Sequence, residues 1–329
     1  MANQTQWHCV SDGALKKILF DEMDTLVESY LNRPSKMLRD KIVKLGFAIV
    51  SQHQPDDSET KALNYLGRVL EEIHSGSLVI DDIQDGSDMR RGKPSLHIEY
   101  GEASAICLGN WMYFRAISGL PRLGLSESQK VAIYEAYMRT LDIGHRGQML
   151  DLNFTPERHM NDLENVVHCI HRFKTGGLVG FGFFAGAVVA DQHLDRDAAL
   201  LDIGVALGVA LQRFNDIKNL ATASPDHIPT DLKDLRPSFL WGVLERPHAQ
   251  SLLEAVHDED AEGIFQIIQS VGGVKGLVTL VDDWFKASLD SLTTECSGWE
   301  VLGQREKILK VFEGIRDGYF KGFDSSSHR

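Results

Sequence analysis

Apolar residues recur at the three- and four-residue spacing of buried helix faces along almost the whole chain, and no run alternates with the period of a half-buried strand. That pattern excludes sheet-based architectures and leaves helix-on-helix packing. The spacing predicts helices near residues 13–31, 35–52, 59–84, 102–119, 127–153, 161–173, 176–191, 197–221, 238–245, 248–256, 260–270, 274–293 and 303–320. Side-chain oxygens that could cap exposed N–H groups precede several of these, among them Ser58 before Glu59 and Ser126 before the next long helix. Glycine and proline fall in short clusters between helices, and only the stretch 221–235 makes a longer polar connection. With no repeat, linker or low-complexity segment, residues 1–329 are expected to form one all-α domain, large for a simple bundle.

Composition narrows the partners. A net charge of −13 opposes binding to a nucleic-acid backbone. It leaves phosphorylated small molecules open, because bound cations can invert the field inside a pocket. The opening MANQTQWHCVSDG has no apolar run of a signal peptide, and the most apolar stretch, Leu178 to Ala190, is shorter than a membrane span requires. The four cysteines, Cys9, Cys107, Cys169 and Cys296, lack the spacing of a metal site or disulfide framework. A reducing, cytoplasmic setting is therefore expected, and the terminal Ser-Ser-Ser-His-Arg is not a peroxisomal address.

The segment Ile73-His-Ser-Gly-Ser-Leu-Val-Ile-Asp-Asp-Ile-Gln-Asp-Gly-Ser-Asp-Met-Arg-Arg-Gly-Lys-Pro-Ser concentrates the chemistry. Asp81 and Asp85 are four residues apart and share a helix face, with Asp82 one step round. Gly86 follows as a helix stop. Carboxylates this close repel unless a hard cation joins them, and Mg²⁺ typically uses one or two carboxylates together with substrate phosphates. Arg90 and Arg91 come next, suited to bidentate phosphate contacts.

His-x-x-Ser-Leu-x-x-Asp-Asp-x-x-Asp followed by Arg-Arg-Gly-x-Pro resembles the trans-prenyltransferases, the isoprenyl diphosphate synthases. The likeness runs from about Tyr30 to about Phe239. It is greatest to eukaryotic geranylgeranyl diphosphate synthases, with Leu-Val-Ile-Asp-Asp-Ile, Leu-His-Ile-Glu-Tyr-Gly and Lys-Thr-Gly-Gly-Leu as shared landmarks. The resemblance implies a helical bundle around a central substrate cavity, two or three Mg²⁺ ions, an isoprenoid diphosphate donor, a phosphorylated acceptor and a homodimer. It implies metal binding by Asp81, Asp82 and Asp85. It also implies that Lys36, Arg39, His74 and Arg91 grip the diphosphate of the non-allylic substrate, with Arg90 and Lys174 on the leaving diphosphate.

Further along, Gly147-Gln-Met-Leu-Asp-Leu resembles the family's Gly-Gln-x-x-Asp-Leu. Gln148 would sit near the developing cation, while Asp151 would join the metal shell or orient Lys174. In Lys174-Thr-Gly-Gly-Leu, the Thr175 oxygen would stabilise the cation. The paired glycines, each costing about 1 kcal/mol in a helix, suggest a break or a close backbone approach. His145, His168 and His171 are expected to be ordinary helix residues.

The second acidic cluster departs from the family. It reads Gln212-Arg-Phe-Asn-Asp-Ile-Lys-Asn219, so Asn215 stands in place of an aspartate beside Asp216, with Asn219 closing the group. An amide oxygen can hold Mg²⁺ but brings no charge, so one metal site is expected to be weakened. Downstream, Asp231-Leu-Lys-Asp-Leu-Arg-Pro-Ser-Phe-Leu keeps a cation at Arg236 but has Leu235 where the family has glycine, and the loop before it is short and without the family's extra lysine. In the family, bulk at the positions of Gly76 and Ser77 truncates the prenyl tunnel, so small residues there suit a C15–C20 donor, although helix packing favours small residues equally.

Asn215-Asp216 is similar to the pair carried by fungal indole-diterpene geranylgeranyl transferases of the paxilline type. On that likeness the expected reaction is transfer of a C20 chain to C3 of indole-3-glycerol phosphate, giving 3-geranylgeranylindole. The alternatives are geranylgeranyl diphosphate synthesis from isopentenyl diphosphate, and a non-catalytic subunit of a prenyl synthase.

Overall fold

The computed structural model describes residues 13, 22–33, 38–190, 197–295 and 301–321. The protein is all-α. Its chain forms two compact units, one within residues 1–41 and 56–124 and the other within 42–55 and 125–329.

The first unit contains α1 (Met23–Leu31), the first turn of α2 (Leu38–Val50), α3 (Asp57–Gln84), a short helical turn at Leu96–Tyr100 and α4 (Glu102–Ala116). Helix α3 starts two residues before the expected first residue, Glu59. Asp56, not Ser58, caps it, because Asp56 has Glu59 three residues on: its carboxylate accepts from the Glu59 N–H at 2.8 Å, and Glu59 returns the bond to the Asp56 N–H at 2.8 Å. At the other end Gly86 adopts φ +61°, and the N–H groups of Gly86 and Ser87 donate to the carbonyls of Ile83 and Asp82. This C-cap halts the helix directly after its acidic residues.

Two two-residue strands, Met89–Arg90 and Lys93–Pro94, form an antiparallel hairpin that sequence periodicity misses. Both loop residues, Arg91 (φ +54°) and Gly92 (φ +76°), have the positive φ that a two-residue primed turn demands. Helix α3 packs against α4 so closely that a Cβ on Gly76 would lie 2.9 Å from the Gly109 carbonyl oxygen and 3.1 Å from the Met112 Cβ. Gly76 is thus small for helix packing, which leaves Ser77 as the half-buried residue of the pair.

The second unit holds α5 (Glu127–Leu152), α6 (Leu163–Ile170), α7 (Gly177–Ala190), α8 (Asp197–Leu220), α9 (Arg246–His257), α10 (Ala261–Ser270), α11 (Gly273–Glu295) and α12 (Val301–Phe320). Ser126 caps α5 as expected, in a reciprocal pair with Gln129. Helices α6 and α7 are joined without interruption by a π-helical turn, His171–Gly176. The expected break at the glycine pair is therefore a widened turn rather than a stop.

The combined stretch Leu163–Ala190 is long and apolar enough to cross a membrane by length and composition, with a mean hydropathy of 1.5 over its most apolar window. Of that window 72% is buried inside the protein, and every residue from Val179 to Val189 is buried. A helix apolar on all sides is a core helix when other helices cover it. Helix α8 packs along α7 and also against α11. Phe285 stacks on Phe312 at 4.1 Å between ring centres, with Phe214 beside Phe312 at 5.6 Å.

Candidate functional site

In the first unit the last turn of α3 presents Asp81 and Asp85, both half-buried. Asp82 turns the other way. It is 1% exposed, its Oδ1 accepts from Arg90 Nε at 2.7 Å and also from Arg90 Nη2, and its Oδ2 is buried without a hydrogen-bond partner among the described residues. A one-residue step turns a helix by about 100°, so neighbouring aspartates at this position serve different masters. Asp82 holds Arg90 in place, while Asp81 and Asp85 keep the outward face. The field of Asp81 reaches Tyr113, whose hydroxyl is pushed up to about 12, first by burial and then by that carboxylate.

Further back along α3, around His74 and Glu71, lie the groups suited to an anion. Arg39 Nη1 donates to Glu71 Oε2 at 2.8 Å, and Arg91 Nη2 lies 3.6 Å from Glu71 Oε1. Arg91 Nη1 is buried without a hydrogen-bond partner among the described residues. His74 sits in the field of Arg39, Arg91 and Arg90, and burial followed by those three cations holds its pKa well below the ordinary imidazole value. It therefore offers a neutral N–H rather than a charge. Glu71 was missed by sequence reasoning. Its only signal is that it lies three residues before His74 and so shares that helix face. Lys36 lies outside the described residues.

The second unit carries the other set. Lys174 Nζ donates to Asp151 Oδ2 at 2.7 Å, so of the two roles the sequence left open for Asp151 this geometry is the orienting one. The approach depends on Gly147, since a Cβ there would stand 2.7 Å from the Lys174 backbone nitrogen. Thr175 Oγ1 donates to Gln212 Oε1 at 2.8 Å, and Gln212 Nε2 donates to Asp216 Oδ1 at 2.9 Å. Asp216 is 4% exposed, and its Oδ2 accepts from the Phe239 N–H at 2.8 Å and lies 3.1 Å from His171 Nε2. Like Asp82, Asp216 is turned inward and held by protein groups. Asn215 is exposed, and Asn219 Oδ1 accepts from the Asp231 N–H at 3.2 Å. Gln148 is half-buried one turn before Asp151, on the face of α5 that carries it.

Leu235 keeps the left-handed backbone (φ +51°) at the position where the resemblance expects glycine. The N–H groups of Leu235 and Arg236 donate to the carbonyls of Leu232 and Asp231, the same capping pattern that ends α3. The loop geometry survives the loss of glycine at a strain of about 1 kcal/mol. Asp231 was not singled out by the sequence. Its carboxyl is pushed up to about 6, chiefly by burial and next by the charge of Asp216, with Arg236 pulling the other way. A carboxylate in that condition is one that a cation would stabilise.

Among the described residues, no three His, Cys, Asp or Glu side chains gather closely enough to hold a metal ion alone. The donors present are hard oxygens, two carboxylates at the end of α3 and amide or carboxylate oxygens at the end of α8. Each unit by itself thus offers the sparse oxygen set that Mg²⁺ accepts when phosphate oxygens and water complete its shell.

The chain is similar to known proteins. A family profile described as polyprenyl synthetase matches residues 21–269. A geranylgeranyl diphosphate synthase from Sulfolobus acidocaldarius is 26% identical over 75% of the chain and 78% of its own length. Fungal geranylgeranyl pyrophosphate synthases from Clitopilus passeckerianus and Fusarium fujikuroi are each 31% identical, over 48% and 54% of the chain. Those two matches span only 45% and 41% of the relatives' own length. Among solved structures, a geranylgeranyl pyrophosphate synthase from Corynebacterium glutamicum, complexed with isoprenyl diphosphate and magnesium, superposes with a TM-score of 0.69 at 18% identity. It covers 93% of this chain and 94% of that one. A synthetase from Pyrococcus horikoshii gives the same score and identity over 92% and 97%.

Proposed function

The chain belongs to the polyprenyl synthetase family and is a prenyltransferase, and from that premise we propose that it extends an allylic isoprenyl diphosphate with isopentenyl diphosphate, as a geranylgeranyl diphosphate synthase. The observation that carries this reading is the pocket of cations around Glu71. Arg39 and Arg91 lie there beside a neutral His74, and the buried Arg91 Nη1 has no hydrogen-bond partner among the described residues. A diphosphate oxygen would satisfy that donor, and charge-assisted bonds of this kind are the strong ones. The names of the archaeal and fungal relatives support the same acceptor.

In the reaction the allylic C–O bond breaks, the double bond of isopentenyl diphosphate attacks the allylic carbon, and a proton is lost from the acceptor. Bound Mg²⁺ would supply charge neutralisation for the departing diphosphate. Within the first unit Asp81 and Asp85 would hold it, and within the second the candidate donors are Asn215, Asn219 and Asp231. Lys174, braced by Asp151, adds a fixed cation for the leaving group. Arg39, His74 and Arg91 hold the acceptor diphosphate. Thr175 and Gln148 present polar oxygens to the positive charge as it develops. The proposal includes a homodimer and the cytoplasmic setting expected from the cysteines.

A second reading rests on Asn215. It is exposed and uncharged where the resemblance expects a carboxylate, which favours transfer of a preformed C20 chain to indole-3-glycerol phosphate. Incubation with Mg²⁺ separates the two. Farnesyl diphosphate with isopentenyl diphosphate should give a C20 diphosphate; formation of 3-geranylgeranylindole from geranylgeranyl diphosphate and indole-3-glycerol phosphate, without elongation, would reverse the assignment.

Arg91→Ala should raise KM for the phosphorylated acceptor by about 10- to 100-fold, the worth of one or two charge-assisted bonds. The KM for the allylic donor should change little. Initial rates with each substrate varied in turn check this, and an equal rise in both constants would remove Arg91 from the acceptor subsite.

A further inference from the structure

A chain of hydrogen bonds in the second unit runs from Thr175 through Gln212 to Asp216, and its direction is fixed from the buried end. A carboxylate can only accept, so Asp216 Oδ1 must face the amide Nε2 of Gln212, 2.9 Å away. The amide oxygen Oε1 then faces Thr175, and the Thr175 hydroxyl must donate to it, 2.8 Å away. With its proton committed inward, the Thr175 oxygen keeps its remaining lone pairs for whatever lies on its open side. The other carboxylate oxygen, Oδ2, is fixed by the buried Phe239 N–H at 2.8 Å and lies 3.1 Å from His171 Nε2. Asp216 therefore cannot rotate without orphaning a buried backbone donor.

We propose that Asp216 is a positioning residue that sets the polarity of this relay, so that Thr175 offers lone pairs rather than a proton to the positive charge formed when the allylic diphosphate departs. The assignment rests on the functional reading above, and it gives Asp216 a task distinct from holding a metal ion. In Asp216→Asn the buried Phe239 N–H still needs an acceptor, so the new amide oxygen faces it and the new NH₂ faces Gln212. Gln212 must then flip and offer its NH₂ to Thr175, whose hydroxyl proton is driven toward the cation. The double variant Asp216→Asn with Gln212→Glu restores the original direction at Thr175: the amide introduced at position 216 donates, and the carboxylate introduced at position 212 accepts from both neighbours.

The wild type, both single variants and the double variant are compared for kcat, for KM of the allylic donor, and for Mg²⁺ affinity in the presence of inorganic diphosphate by calorimetry. The expected result is a kcat about 10²-fold lower in D216N, the size of one misdirected electrostatic contact. KM and Mg²⁺ affinity should stay within about threefold of wild type. The double variant should recover at least tenfold over D216N. A tenfold loss of Mg²⁺ affinity in D216N would make Asp216 a metal ligand and overturn the proposal, as would a double variant no faster than D216N. A neutron structure of the wild type decides the direction without any variant or turnover. A deuteron between Thr175 and Gln212 bonded to the threonine oxygen supports the relay, and one bonded to the glutamine nitrogen refutes it. If the wild type turns over no donor while its deuteron is on Thr175, the functional reading fails and the relay stands.

Discussion

Alanine at position 81 is expected to lower turnover by about 10³-fold or more with any acceptor. Asp81 lies half-buried on the last turn of α3, one turn from Asp85. Its neighbour Asp82 is committed to Arg90. Losing Asp81 therefore removes one of only two outward carboxylates in the first unit's acidic cluster, and Asp82 cannot replace it. Metal-assisted charge stabilisation contributes several kcal/mol to a reaction of this kind, and about 4 kcal/mol corresponds to about 10³ in rate. The check is kcat at saturating Mg²⁺, alongside calorimetric titration of Mg²⁺ with inorganic diphosphate and a thermal melt. Activity within tenfold of wild type would contradict the assignment, whereas a large drop in melting temperature would reduce it to a folding defect.

How far such a site can be read from sequence depends on whether the controlling variable is spacing or orientation. The interval from Asp81 to Asp85 is a spacing, and it placed both on one helix face. The inward turns of Asp82 and Asp216 are orientations: they follow from which side of α3 and α8 meets the core, and an Asp-Asp or Asn-Asp pair looks the same either way. Glu71 was hidden for a related reason, since a glutamate in an amphipathic helix carries no mark of the arginines that fold onto it from α2 and the hairpin. The hairpin itself has strands of two residues, too short to alternate.

The glycines show a further limit. Gly176-Gly177 announced an irregularity but not its form, a π-helical turn. Gly76 was compatible with an open tunnel or with tight helix packing until the 2.9 Å approach to Gly109 decided for packing. The acceptor was hardest to read, because Asn215 reports a lost charge and not what compensates it. The half-buried carboxyl of Asp231, pushed up to about 6, lies twelve residues beyond Asn219 in a loop that departs from the family pattern.

Gly186→Ala is expected to destabilise the protein by about 3 kcal/mol or more, although alanine is the better helix former. In the second unit, α7 meets the part of α2 that begins at Ile42 through reciprocal backbone contacts. A Cβ on Gly186 would fall 1.9 Å from the Val43 carbonyl oxygen, and a Cβ on Gly46 would fall 1.9 Å from the Phe183 carbonyl oxygen. Neither obstacle is a flexible side chain that could swing away, so the helices must separate along the whole contact. Separation would loosen buried Val43, Phe47, Phe183 and Ala187 together. Overpacking a well-filled core costs about 1–3 kcal/mol, and contact with backbone on a helix apolar all round places this case at or above the top of that range. The helix-propensity gain of about 1 kcal/mol cannot offset it. Gly144→Ala is the control: it lies within α5, and nothing stands within 4 Å of its added Cβ. That variant should gain up to about 1 kcal/mol. Urea unfolding of the three proteins should move the midpoint down for Gly186→Ala and up for Gly144→Ala, with unchanged slopes. Equal shifts in the same direction would mean that α7 and α2 have room to part, and that the glycines are there for some reason other than close approach.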